Sequence, residues 1–339
     1  MKFKKEFELI LKDADINYKI LDIQKITEGL SHQTYKIVTA DNNYALKKIN
    51  QSIIKGKELY TKITNSERIS NIMKNNGINA VTSIKSKTNN YIFNINNSFY
   101  MLFHWIEGKI LNYDLLTNNH CEIIGKTLAN MHNIDFSDIN LDIPKKINII
   151  IFDWNKLYQK AKKQNKSYIN LFSENINLLY EINKKAKEFE NNMNKDLVIS
   201  HLDLNMKNII WQFDEPYIID WENSGYINPT MELIQISWYW SGMDIGKPDF
   251  EKYEIILKSY KNYINRKVDK NIKELLYTDI YGGLEWLFNN FERSLNNEND
   301  KNDVEIAEKE IVQSFKEIKF NLEQMDNIIN IFEKYFKVF

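Results

Sequence analysis

His201-Leu202-Asp203-Leu204-Asn205-Met206-Lys207-Asn208 fills the four fixed positions of the pattern H-x-D-L-x-x-x-N. A carboxylate in such a loop can accept a proton from a hydroxyl, and an amide oxygen five residues further on can hold a metal ion. Asp203 is expected as the base and Asn208 as a metal ligand. Ile218-Ile219-Asp220-Trp221-Glu222 follows, with Asp220 twelve residues beyond Asn208 at the end of an apolar strand, where a second metal ligand belongs. An Asp or Asn alone serves as well in a capped turn. The joint spacing separates the two readings and favours chemistry. His201 is expected to hydrogen-bond the loop backbone and not to transfer protons.

The stretches flanking the loop, Leu197–Ser200, Ile209–Phe213 and Tyr217–Asp220, are apolar. With a turn at Asp214-Glu215-Pro216 they predict a small hairpin. Upstream, residues 20–26, 33–39, 44–50, 81–86, 91–94 and 99–105 alternate or run apolar between turn residues, as half-buried strands do. One helix is expected over 6–13. Another is expected over 52–75, with Gly77 as its C-cap.

Within these strands, Tyr44-Ala45-Leu46-Lys47 places Ala45 and Lys47 on one face, so that a small residue covers a purine while the lysine reaches phosphates. Glu67, on the following helix, is expected to pair with Lys47. Thr27 to Tyr35 lies between two strands, and its Gly29 and Ser31 are expected over the phosphates. Phe103, His104 and Ile106 lie at the connection out of the last strand, where free backbone groups near His104 and Ile106 can meet the base edge. Beyond it, residues 113–133, 153–191, 228–242, 249–265, 270–296 and 302–338 read as helices. The chain is therefore divided into a nucleotide-binding lobe over 1–106 and a helical catalytic and acceptor-binding lobe over 107–339.

Composition sets the outer bounds. Forty-five Lys and Arg nearly balance 46 Asp and Glu, which gives no reason to expect nucleic acid or an anionic membrane as partner. Cys121, the single cysteine, cannot form an intramolecular bridge. The N-terminal charges interrupt any signal-peptide core, and no apolar run is long enough to span a membrane. A cytoplasmic monomer or weak dimer is expected.

The loop His201 to Asn208, Ile219-Asp220-Trp221-Glu222, Leu128-Ala129-Asn130-Met131-His132 and Phe103 to Gly108 together resemble the aminoglycoside phosphotransferase and choline kinase family, over about residues 20–245. The resemblance implies an α+β, two-lobed protein-kinase-like fold. It also implies ATP or GTP as phosphoryl donor, Mg2+, and a hydroxyl on a small, often cationic acceptor: an aminoglycoside or aminocyclitol, or alternatively choline, ethanolamine or homoserine. A catalytically silent, spore-coat-type ligand binder is the other reading. Leu202 stands where the family usually has Gly, and Asp220 is followed by Trp-Glu instead of Phe-Gly. The acceptor pocket is expected between the catalytic loop and the later helices. Glu222, Asp244 and Glu285 are its candidates for ammonium groups, and Trp238 for an aromatic wall.

Overall fold

The computed structural model describes residues 2–26, 32–50, 56–296 and 298–336. The chain forms two compact units. One is Met1–His120 with Ile134–Ile143 and Ile199–Gly225; the other is Cys121–Asn133 with Pro144–Val198 and Tyr226–Phe339. Residues 199–225 thus group with the N-terminal segment.

In the first unit, β1 (Asp22–Ile26), β2 (Gln33–Val38), β3 (Asn43–Lys48), β6 (Ser98–His104) and β4 (Ser83–Ile84) pair in that order, and β5 (Phe93–Ile95) also pairs with β6. Strand alternation sends Tyr35, Ile37, Tyr44, Leu46, Tyr100 and Leu102 to one face, where Phe7, Ile10 and Leu11 of α1 (Lys2–Asp13) cover them. Burying those side chains contributes roughly 1.5–3 kcal/mol each. The opposite face carries Ala45 and Lys47 of β3 across from Phe103 and Met101 of β6. Against that face packs α2 (Gly56–Asn75) through Leu59 and Ile63.

Gly77 ends α2 as expected. Its φ is +85°, its N–H donates to Lys74 O, and Ile78 N–H donates to Met73 O, a Schellman closure. The segment that follows joins a hairpin further along the chain: Val81 N–H donates to Ile218 O, and Ile218 N–H donates to Asn79 O.

That hairpin is β8 (Ile209–Gln212) and β9 (Glu215–Ile218), preceded by β7 (Val198–Ser200) and followed by β10 (Gly225–Ile227). Its turn is Phe213-Asp214, earlier than the expected Asp214-Glu215-Pro216, and Pro216 lies in the strand opposite Trp211. The reason is local. Trp211 exchanges both main-chain hydrogen bonds with Lys109, so the proline beside it has no N–H to supply.

The second unit is helical: the end of α3 (Asn118–Asn133), then α4 (Trp154–Lys163), α5 (Ile169–Met193), α6 (Pro229–Trp240), α7 (Phe250–Tyr263), α8 (Ile272–Leu295) and α9 (Lys301–Tyr335). The expected helix over 153–191 is two helices. Gln164 caps α4, and Asn165 turns the chain with a φ of +52°. Phe172, Phe291 and Phe315 join α5, α8 and α9 in an aromatic core, with Phe172 and Phe291 stacked at 4.3 Å. A Cβ on Gly125 would stand 2.5 Å from Ile256 O, so only glycine allows α3 and α7 this approach. Among the described residues no helix is long and apolar enough to cross a membrane.

Candidate active site

Fully buried, His201 accepts the Asp203 N–H at Nδ1 (3.3 Å) and faces Ile219 O with Nε2 (2.9 Å). A carbonyl can only accept, so Nε2 carries the proton and the ring is neutral. His201 therefore fastens the loop from His201 to Asn208 to the segment that carries Asp220. Between His201 and Asp203, Leu202 adopts a φ of +62°, a left-handed conformation that costs a side-chain-bearing residue about 1–2 kcal/mol. That conformation is why glycine suits this position. Leu202 uses its side chain to pack over Gly225.

The Asp203 carboxylate is held by two amides. Asn205 Nδ2 donates to Oδ1, and Asn208 Nδ2 donates to Oδ2 at 2.9 Å and also to the Asp203 carbonyl at 2.8 Å. Lys207 Nζ lies 3.8 Å from Oδ2. Asn208 itself is buried, and its main-chain carbonyl accepts from Ile219 N–H. With Nδ2 committed to Asp203, its Oδ1 accepts nothing among the described residues. Asp220 then turns the chain with φ 63° and ψ 58° into a short 3-10 turn, Trp221–Asn223. Trp221 is buried beneath it, edge-on to the His201 ring at 4.7 Å, with its indole N–H on Ile218 O. A non-glycine residue in this conformation persists only where its surroundings fix it, and here a buried tryptophan does so.

Lys47 lies 2.8 Å from Asp220 Oδ1 and 2.8 Å from Glu222 Oε2. Burial works against its charge, but the two carboxylates outweigh that and raise its pKa. The expected ion pair with Glu67 is not formed. Glu67 is buried and accepts the Ser83 N–H at 2.9 Å; burial raises its pKa, while that hydrogen bond and the Lys47 charge oppose the rise. Two carboxylates on one segment hold the lysine more strongly than one already engaged elsewhere. Lys48 points to the other face of the sheet, over the Tyr100 ring.

Glu222, an acceptor-pocket candidate on sequence, sits instead on the Lys47 side. Oε2 receives both Lys47 and His32 Nε2 (3.0 Å). Burial alone would raise the Glu222 pKa, but His32 and Lys47 hold it well below the usual carboxylate range.

At the connection after β6, Phe103 stands opposite Ala45. His104 turns its ring to the other face, against Tyr44 at 5.6 Å. The main-chain N–H and C=O of Ile106 make no hydrogen bond among the described residues, which leaves both available to a ligand edge. Gly108 brings the connection onto β8: a Cβ there would be 2.5 Å from Trp211 O and 2.7 Å from Ile210 Cγ2. A cavity of 340 Å³ behind the connection is lined by Ile78, Ser83, His104, Ile106 and Tyr217 but by none of the charged groups above. Gly29 and Ser31 lie outside the described residues.

The remaining acceptor candidates belong to the second unit. Trp238 is half-buried and packs edge-on against Phe320 at 5.8 Å. Asp244 follows α6. Glu285 is exposed on α8; burial of its carboxyl raises its pKa, and Tyr281 opposes this. Sequence reasoning missed Asp279. Half-buried on α8, its carboxylate accepts Gln235 Nε2 at 2.7 Å and among the described residues has no cation within ion-pair distance. Burial pushes its pKa up to about 6. His32 and Asn205 were missed as well. Asn205 lay within the quoted loop, whereas nothing local marks His32, whose partner is 190 residues away. Among the described residues no group of three or more His, Cys, Asp or Glu converges as a metal cluster.

A family model described as "Phosphotransferase enzyme family" matches residues 22–254, about two thirds of the chain. No protein of curated function matches the sequence. Among solved structures, spectinomycin phosphotransferase APH(9)-Ia in complex with ADP and spectinomycin is similar at a TM-score of 0.63 and 16% identity, with 96% of each chain covered. Amicoumacin kinase in complex with AMP-PNP and Ca2+ gives 0.61 and 12%, with 94% of each covered. Choline kinase from Cryptosporidium parvum Iowa II gives 0.59 and 16%, with 93% of each covered. At these identities the likeness establishes the kinase-like fold.

Proposed function

Because the chain belongs to the phosphotransferase enzyme family, we propose that it moves the γ-phosphoryl group of ATP to a hydroxyl of a small cationic acceptor, an aminoglycoside or aminocyclitol. The observation that carries this reading is the Asp203 carboxylate, clamped by Asn205 and by Asn208, itself a metal-ligand candidate in the same loop. Phosphoryl transfer requires mainly positioning and charge stabilisation, and these residues divide that work. Asp203 accepts the proton of the acceptor hydroxyl. Lys47, kept protonated by its two carboxylates, supplies positive charge for phosphate oxygens. Ile106 offers a donor and an acceptor to the adenine edge.

The residues fit Mg2+. The unengaged Asn208 Oδ1 and the Asp220 carboxylate are hard oxygen ligands of the kind that complete their coordination with phosphate oxygens. When bound, the ion would offset the charge of the phosphates.

Asp279 supports a cationic acceptor. Its folded-state pKa of about 6 exceeds the ordinary 3.8, so the folded chain holds that proton more tightly than the unfolded one. Stability is then lost as pH rises from about 4 through 6. Asp279→Asn, which can still accept from Gln235, is expected to be more stable at pH 7.5 by about 1–3 kcal/mol. The gain should vanish below about pH 4, as read from urea midpoints; a variant less stable at pH 7.5 would contradict this. A carboxylate retained against stability suits a cationic partner. Choline or ethanolamine is the second reading, favoured by the exposed rings of Tyr239 and Trp286.

The test is Mg2+-dependent ATP consumption against spectinomycin, kanamycin, choline, ethanolamine and homoserine, with GTP as donor control. Acceptor-dependent turnover is expected; nucleotide binding with no turnover on the panel would favour a silent ligand binder.

A further inference from the structure

We propose that His32 is a positioning residue for phosphoryl transfer, one that sets Glu222 and through it Lys47; this rests on the phosphotransferase reading above. His32 immediately precedes β2, whose first residue, Gln33, is paired with Lys48 at the end of β3. Its ring is nearly buried, at 8% side-chain exposure, and both nitrogens are engaged. Nδ1 accepts the Asn50 N–H at 3.0 Å. A nitrogen that accepts carries no proton, so in the neutral ring Nε2 is the N–H and donates to Glu222 Oε2 at 3.0 Å. The β2–β3 ladder therefore fixes the ring, and the ring fixes a carboxylate on the segment that carries Asp220.

The consequence falls on Lys47. Oε2 of Glu222 serves both His32 and Lys47, and Asp220 Oδ1 holds the lysine from its other side. Without His32, Glu222 is a 3-10-turn side chain with one partner, free to change rotamer and to draw the ammonium with it. Lys47 Nζ would then lose its defined place between β3 and Asp220. Among the described residues His32 makes no hydrogen bond or ion pair with Asp203 or Asp220, so its effect on the site runs through Glu222. A residue that orients the phosphate lysine should alter the handling of nucleotide more than that of acceptor.

Two side chains separate this role from a purely structural one, because Gln places an amide N–H near the position of Nε2 while Asn places a carbonyl oxygen near that of Nδ1. His32→Ala should lower kcat/KM for ATP by about 10-fold or more, the loss expected for a charge-assisted hydrogen bond. The acceptor KM should change by less than about 2-fold by the same separation of binding terms. His32→Gln should recover most of the ATP effect, and His32→Asn should not. Thermal midpoints of all three variants, read alongside, report any loss of the Asn50 contact. Any pattern in which Gln fails to recover more than Asn overturns the proposal, as does wild-type kcat/KM for ATP in the Ala variant. A wild-type chain that neither binds AMP-PNP nor turns over ATP would instead overturn the phosphotransferase reading, and this inference with it.

Discussion

Asp203→Ala is expected to lower kcat by about 10³–10⁴-fold while leaving ATP affinity within about 2-fold, since a positioned general base contributes on that scale and acts on the acceptor, not the nucleotide. The geometry explains why the two effects separate. Asn208 Nδ2 donates to both the Asp203 carboxylate and the Asp203 main-chain carbonyl. Truncation removes the first bond and leaves the second, so Asn208 Oδ1 keeps its aim. The Asp203 N–H to His201 and the His201 bond to Ile219 are likewise main-chain anchored and survive. Asp220 and Lys47 therefore stay in place. Steady-state kinetics with whichever acceptor the panel yields, together with AMP-PNP titration, check both halves. Retention of kcat within 10-fold would remove Asp203 from the role of base; a parallel collapse of AMP-PNP binding would mean that the loop depends on the carboxylate for its shape.

How much of this was legible in the sequence follows from the range of each interaction. The loop from His201 to Asn208 could be singled out because its pattern sets fixed residues at fixed short spacings, and the alternation of β3 placed Ala45 and Lys47 on one face without further information. Gly77 was legible because a left-handed C-cap favours glycine. What failed was partner choice across long separations. Lys47 had Glu67 as its expected partner, yet it is bound by residues 173 and 175 positions away. No periodicity encodes that preference, which depends on where the 3-10 turn after Asp220 places Glu222. Asp279 was hidden for a related reason: on a helix, a carboxylate denied its counter-ion by packing reads the same as a solvated one. The break between α4 and α5 escaped because Asn165 enters the left-handed region without glycine or proline to announce it.

Glu232→Ala should destabilise the chain by about 3–5 kcal/mol, the cost of removing one partner from a fully buried charged network. Glu232 is 1% exposed, and its Oε2 lies 2.7 Å from His132 Nε2; the other ring nitrogen, Nδ1, lies 2.7 Å from the Tyr260 hydroxyl. Burial first, and the Glu232 charge second, raise the Tyr260 pKa, so its hydroxyl stays protonated beside Nδ1. A carboxylate can only accept, so His132 Nε2 carries a proton and donates to Glu232. This chain of two bonds ties α3 to α6 and α7, and α3 and α7 are the same pair of helices that Gly125 lets pack closely. It also gives a structural role to His132, the last residue of the family-like segment Leu128 to His132.

Alanine leaves His132 Nε2–H buried without an acceptor and opens a cavity, two costs that add. Glu232→Gln keeps an acceptor oxygen and removes the buried charge, so its expected cost is at most about 1–2 kcal/mol. The double change Glu232→Ala with His132→Leu, which removes the orphaned donor, should recover part of the alanine loss. Urea midpoints of the full chain measure all three. If Gln costs as much as Ala, the carboxylate charge is essential to the pair. If Ala costs less than about 1 kcal/mol, water reaches the pair and it does not anchor α6.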